Sequence, residues 1–125
     1  MAGVTLDTGA LIAIERGDRR LQALLDESTS AGAGVAVPAG VIAQAWRGSK
    51  RQARLARFLG LGTVTAVALD EPAARAAGLL CALTDTADIV DASVVVCARE
   101  WGHAVMTADE GDLRALDPRL PLVAI

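Results

Sequence analysis

Several residue types are scarce in this 125-residue chain, and each scarcity excludes a class of protein. Aromatic residues make up only 2%, a balance that disfavours a β-sandwich or barrel and suits closely packed helices. Cysteine occurs twice and histidine once, without the CxxC or Cys/His spacing of a zinc or disulfide-exchange site. The formal charge is −3, so the chain has no bulk positive field that would hold nucleic acid.

The few cysteine, histidine and tryptophan residues have structural interpretations. Cys81 and Cys97 lie in apolar stretches, which predicts buried, reduced thiols and fits a reducing cytoplasm. His103 opens an apolar run and has no partner at ligand spacing, so we expect a structural or surface role. Trp46 and Trp101 are predicted to be packing or interface residues rather than platforms for base stacking.

No segment has the character of a membrane span or a signal peptide. The uncharged stretch from Ser28 to Trp46 contains Pro38, Gln44 and three glycines, which argues against a span. The N-terminal residues include no basic region, and Asp7 interrupts their apolar run. We therefore expect a soluble cytoplasmic protein with no membrane partner.

Short apolar runs alternate with stretches of helical periodicity along the whole chain. The runs predict strands at Gly3–Leu6, Val35–Val37, Thr63–Leu69, His103–Thr107 and Leu120–Ile125. Helices are predicted at Thr8–Ile14, from Asp18, from Pro38 to Trp46, at Lys50–Leu59, from Asp70, over about 14 residues from Asp88, and at Asp109–Leu116. The rhythm predicts one α/β domain over residues 1–125, with a mostly parallel sheet of about five strands and helices on both faces.

One helix in this scheme has an alternative. The segment "DIVDASVVVCAREWG" contains three consecutive valines and could be a buried strand, but its length and its terminal Gly102 favour a helix.

Acidic residues cluster where a parallel sheet would bind a ligand, outside the carboxyl ends of its strands. Asp7 follows the first strand, Asp109 follows the fourth, and Asp88 and Asp91 open the long helix. Clustered carboxylates repel one another unless a cation neutralises them, and oxygen-only clusters suit Mg²⁺ or Mn²⁺. The pattern predicts metal-assisted hydrolysis of a phosphodiester.

Each of these acids also has a simpler interpretation. An aspartate before a helix is a common N-cap, and acids in a first helical turn favour the helix dipole. Two other enzyme classes fit less well. An aspartic protease would need the Asp-Thr-Gly of residues 7–9 in a β-rich dimer, and a receiver domain would need a mid-chain acid, yet none lies between Glu27 and Asp70.

Four segments resemble the PIN domain, and specifically the VapC class of toxin–antitoxin ribonucleases: "VTLDTGALIAI", "VPAGVIAQAWRG", "ADIVDASVVVCARE" and "AVMTADEGDLRAL". The resemblance implies a parallel sheet with helices on both faces and RNA cleavage with Mg²⁺ or Mn²⁺. It implies that Asp7, Asp91 and Asp109 are catalytic metal ligands, with Asp112 adjacent. It also implies a small cognate antitoxin and a homodimer.

The sequence departs from the family pattern at one position. Many family members carry a glutamate on the helix after the second strand, where this chain has Gln44. A glutamine brings no charge, so we expect weaker metal binding, and Asp88 is a candidate replacement ligand. The alternative function is therefore an inactive PIN-like module that binds RNA or a partner without cutting.

Three further residues are candidates for binding the substrate. Arg47 and Arg51 belong to a basic stretch that could grip an RNA backbone or form a solvated helix face. Thr8 could bind a ligand or cap the first helix.

Overall fold

The computed structural model describes residues 3–125. Its five strands form one sheet in the order β3-β2-β1-β4-β5, and every neighbouring pair is parallel. The strands are β1 (Val4–Leu6), β2 (Val35–Pro38), β3 (Val64–Val67), β4 (Ala104–Thr107) and β5 (Leu122–Ala124). The predicted parallel α/β fold is confirmed.

Seven α-helices connect the strands within the described residues. They are α1 (Thr8–Arg16), α2 (Arg19–Ser30), α3 (Ala39–Ala45), α4 (Ala53–Leu59), α5 (Glu71–Thr84), α6 (Ile89–Trp101) and α7 (Glu110–Leu116). The valine-rich segment is the helix α6, as predicted, and it ends at Gly102, whose φ of 68° is left-handed.

The central strands are covered on both faces. All residues of β1 and β2 are buried, and successive strand residues point to opposite faces, so both faces must be packed. Helices α1 and α6 both contact β1 and β4; α1 packs on α3 and α4, whereas α6 packs on α5 and α7. This sheet fixes the positions of the residues that follow β1 and β4.

The predicted helix over Lys50–Leu59 starts differently in the structure. Residues Lys50–Gln52 form a 3₁₀ turn, and the α-helix begins only at Ala53. The side chain of Gln52 is buried and bonds to backbone groups of the preceding loop, which accounts for the tighter turn. The first residues of the predicted helix therefore belong to the loop.

The structural roles predicted for the cysteines and histidine are confirmed. Cys81 and Cys97 are free and buried. His103 is buried, its Nδ1 lies 3.0 Å from the Thr5 hydroxyl, and its ring packs on Trp101 with the centroids 5.6 Å apart. Among residues 3–125, none of the helices combines the length and the apolar character needed to cross a bilayer.

Candidate active site

Asp7 lies at the carboxyl end of β1 and is both a helix cap and a buried acid. Its Oδ1 accepts a hydrogen bond of 2.8 Å from the Ala10 amide, which caps α1, and its Oδ2 accepts from the Thr107 hydroxyl. The side chain is buried, with 4% of the residue exposed. Burial raises the pKa of Asp7, although the hydrogen bonds from Thr107 and Ala10 oppose this effect.

Thr107, the last residue of β4, joins two of the predicted acids. Its hydroxyl donates to Asp7 and accepts a 2.7 Å hydrogen bond from the amide of Asp109. The sequence makes Thr107 a less certain site candidate than Thr8, and the pairing of its strand with β1, which brings it to Asp7, is visible only in the structure. This hydroxyl fixes the orientation of the Asp7 carboxylate.

Asp109 and Asp112 open α7. Asp109 is the N-cap, and its Oδ1 is 3.5 Å from the Asp112 amide. A side-chain hydrogen bond to Asp109 and the charge of Asp109 raise the pKa of Asp112. The two carboxyl groups are therefore neighbours, as their spacing predicted.

Asp88 and Asp91 open α6 in the same manner. Asp88 is the N-cap, and its Oδ1 accepts a 3.0 Å hydrogen bond from the Asp91 amide. Burial is the largest cause of a raised pKa at Asp91, the charges of Asp88, Asp112, Asp7 and Asp109 add to it in that order, and together they bring the pKa to about 6. Asp88, Asp91 and Asp112 line one cavity, and the Thr107 hydroxyl joins Asp109 to Asp7, so the five predicted acids lie in one region.

A cavity of about 150 Å³ opens between α6 and α7 beside these acids. It is lined by Thr86, Ala87, Asp88, Asp91, Asp112, Ala115 and Leu116. Because Asp88, Asp91 and Asp112 line it, the cavity belongs to the same site.

The donor chemistry of this region fits a hard divalent cation, because every candidate ligand is a carboxylate oxygen. The carboxylates are not gathered into a closed metal site. Within residues 3–125, no three His, Cys, Asp or Glu side chains lie close enough together to hold an ion. Oxygens of Asp7, Asp88 and Asp109 instead accept the hydrogen bonds that cap three helices.

Gln44 lies on α3 at the margin of the acidic region. Its Oε1 accepts a hydrogen bond from the hydroxyl of Thr8, the residue after Asp7. The position at which the family usually has a glutamate is therefore next to the site, and its amide is bonded to a neutral hydroxyl.

The two predicted substrate-binding arginines lie beyond Gln44. The Arg47 guanidinium donates to the carbonyls of Ala43 and Trp46, at 3.3 and 2.7 Å, and so turns back on the end of α3. Arg51 is exposed in the 3₁₀ turn. The structure brings the five acids together but leaves Arg47 and Arg51 at the periphery.

The fold and the site define a parallel α/β domain with carboxylates from three segments at its strand ends. The sequence model of the PIN domain family matches residues 4–117, and the chain belongs to this family. The resemblance seen in the sequence is thereby confirmed. Curated proteins gave no match.

Solved structures of toxin–antitoxin proteins share this fold. VapBC2 from Rickettsia felis, bound to a promoter DNA fragment, aligns with a TM-score of 0.73 and 15% identity over 99% of this chain and 98% of that chain. A toxin–antitoxin complex from Klebsiella pneumoniae aligns with a TM-score of 0.73 and 17% identity over 97% of this chain and 96% of that chain. The sarcin–ricin loop cleaving toxin VapC20 of Mycobacterium tuberculosis aligns with a TM-score of 0.72 and 18% identity over 92% of this chain and 95% of that chain.

Proposed function

We propose that this protein is a metal-dependent endoribonuclease that hydrolyses RNA phosphodiester bonds and acts as the toxin of a toxin–antitoxin pair. The observation that carries the proposal is the grouping of Asp7 and Asp109 on the Thr107 hydroxyl, with Asp88, Asp91 and Asp112 lining one cavity beside them, in a PIN domain. Such a set binds divalent cations and phosphates through them.

Asp7, Asp91 and Asp109 are the proposed catalytic metal ligands, and Asp88 is the proposed fourth. A bound Mg²⁺ or Mn²⁺ would neutralise their repulsion, make a water molecule more acidic and stabilise charge on the phosphate. Thr107 holds the Asp7 carboxylate in one orientation and connects it to the start of α7.

Thr8, Gln44 and Asp112 are proposed to support this centre. Gln44 accepts the hydrogen bond of the Thr8 hydroxyl beside Asp7, and the amide nitrogen of Gln44 can donate to a substrate oxygen. Asp112 adds negative charge next to Asp109, which favours cation binding over binding of a bare phosphate.

The toxin role rests on the shared fold. Structures of toxins bound to antitoxins align over nearly the whole length of both chains. We propose a small cognate antitoxin as partner, a homodimer as the assembly and the cytoplasm as the location. Light scattering of the purified protein tests the dimer, and co-purification with the product of an adjacent small reading frame tests the antitoxin.

The experiment that tests the nuclease is incubation of a mixed RNA pool with purified protein in Mg²⁺, Mn²⁺ or EDTA. The Asp7→Asn and Asp91→Asn variants run in parallel. We expect cutting that requires metal and is lost in both variants. Intact RNA with every metal, from a folded protein, would refute the proposal.

The second candidate function is an inactive PIN-like module that binds RNA or a partner without cutting. Gln44 favours it, because an uncharged side chain bonded to Thr8 stands where the family usually has a carboxylate. Replacement Gln44→Glu separates the two functions. A protein that cuts RNA only after this change would support the inactive module.

A further inference from the structure

We infer that the turn Trp46–Arg51 is a binding surface for single-stranded RNA, in which cations hold phosphates and Trp46 stacks on a base. The inference rests on the proposed function, since it assigns the surface that positions RNA beside the acidic site. It is named here the basic turn.

Charge is the first observation. No acid occurs between Glu27 and Asp70, and this interval contains the cations Arg47, Lys50, Arg51, Arg54 and Arg57. The ion pairs found within residues 3–125 join Arg75 to Glu71 and Arg99 to Asp117, so none of them neutralises the basic interval. In a protein of net charge −3, this local excess suits a polyanion.

An exposed aromatic ring is the second observation. Trp46 is 41% exposed, although it directly follows α3 and adjoins the cations. Proteins that bind single strands combine a cationic track with aromatic rings on which bases stack. This location makes stacking a better interpretation than the packing role predicted from the sequence.

Rigid construction is the third observation. Gln52 is only 5% exposed, and its Oε1 accepts from the amides of Arg47 and Gly48 at 2.7 and 3.0 Å. Its Nε2 donates to the Ala45 carbonyl at 2.7 Å and to the Glu15 carboxylate. One buried amide therefore holds the turn in place, so little ordering cost remains when a ligand binds.

Proximity to the acids is the fourth observation. The Arg47 guanidinium bonds to the Ala43 carbonyl, and the adjacent Gln44 bonds to Thr8, which follows Asp7. A strand of RNA held on the basic turn can continue directly into the acidic site. The cations of the basic turn then offset, from a neighbouring position, the repulsion between the RNA phosphates and the carboxylates.

The test measures binding of a short fluorescein-labelled single-stranded RNA by anisotropy in EDTA, where a metal-dependent enzyme does not cut. The double variant Lys50→Ala/Arg51→Ala is compared with Arg19→Ala/Arg20→Ala. Both remove two exposed cations that have no ion pair within residues 3–125, so net charge is matched. Thermal melting confirms that each variant is folded.

We expect the Lys50/Arg51 variant to bind several-fold more weakly than the Arg19/Arg20 variant. Its slope of log affinity against log salt should fall by about 0.7 for each phosphate that the variant no longer binds. Equal affinities and equal slopes in the two variants would overturn the inference.

The stacking role has its own pair of variants at one position. Trp46→Leu keeps an apolar side chain without an aromatic face, whereas Trp46→Phe keeps the face. We expect Trp46→Leu to lose about tenfold in affinity and Trp46→Phe much less. Equal binding by the two variants would overturn the assignment of Trp46.

Binding and cutting give separate answers. RNA binding that depends on the basic turn, without cleavage in any metal, would support the inference and refute the nuclease. Metal-dependent cleavage, together with RNA binding that does not depend on the basic turn, would support the nuclease and refute the inference.

Discussion

Asp7 and Asp18 have the same local role and very different surroundings. Each is an N-cap whose carboxylate accepts a hydrogen bond from an amide three residues later, at 2.8 and 3.0 Å. Asp18 is exposed between α1 and α2, whereas Asp7 is buried beside Thr107 and near Asp109. Capping geometry therefore does not distinguish a structural aspartate from a site aspartate; the presence of other acids around it does.

The same contrast extends to the other capped helices. Asp70, Asp88 and Asp109 cap α5, α6 and α7 in the same way. Asp70 follows β3 at the edge of the sheet, whereas Asp109 follows β4 and Asp88 lines a cavity with Asp91 and Asp112. Matched substitutions of caps inside and outside the acidic region test this division.

The largest expected effect comes from Asp7→Asn compared with Asp18→Asn. Asparagine is also a good N-cap, so the free energy of unfolding should change by less than about 1 kcal/mol in either variant. RNA cleavage should fall about a hundredfold or more in Asp7→Asn and stay unchanged in Asp18→Asn. Gel assays with Mg²⁺ measure it, and equal activities would place Asp7 outside the reaction.

A somewhat smaller effect is expected for Thr107→Val. The change removes the Thr107 hydrogen bonds to Oδ2 of Asp7 and to the Asp109 amide, which should cost about 1–3 kcal/mol of unfolding free energy. Cleavage per folded molecule should fall about 10–100-fold, as for other groups that orient a metal ligand.

The control for Thr107 is Thr5→Val in β1. Thr5 is equally buried and bonds to His103, away from the acids. Denaturant melting should show a lower free energy of unfolding for this variant, while its RNA cleavage per folded molecule should be unchanged. A matching loss of activity in Thr5→Val would show that the Thr107 effect is general destabilisation.

Asp88→Asn tests whether Asp88 compensates for Gln44. The variant keeps the cap but removes a charge next to Asp91, so Mg²⁺ affinity in a calorimetric titration should fall several-fold, nearly as much as in Asp91→Asn. Asp70→Asn is the matched control outside the site. Unaltered affinity in Asp88→Asn would remove Asp88 from the set of ligands.

The smallest expected effect is the pH dependence of stability. The folded-state pKa of Asp91 is about 6, above its ordinary value of 3.8, so the folded chain binds more protons than the unfolded chain between these values. Stability from this group is present at low pH and is lost as pH rises through 6. Allowing for solvent screening, the metal-free protein should lose roughly 1 kcal/mol or less between pH 5 and 7.

Asp91→Asn provides the reference for this measurement. Denaturant melts of both proteins in EDTA should differ in slope with pH, and the variant should be flatter. Subtracting the pH curve of the variant from that of the unaltered protein removes the contribution of His103. Burial lowers the pKa of His103, so its contribution to stability rises with pH, opposite to that of Asp91. Parallel pH curves for the two proteins would contradict the shift.

Much of this molecule was predictable from local signals. Alternating apolar runs and capping residues predicted the strands, the helices and the acidic segments, because such features depend on neighbours a few residues apart. The Thr107 hydroxyl between Asp7 and Asp109, and the Gln52 amide that holds the basic turn, were not predictable in this way. Both depend on which distant elements pack together, and sequence spacing does not encode that.

The order of the strands has a consequence for synthesis. β1 pairs with β4, and the hydrogen bond between Asp7 and Thr107 joins residues a hundred positions apart. Domains generally fold as units, and contacts between distant elements form only when both have been synthesised. A nascent chain therefore has no complete acidic site until its fourth strand has emerged.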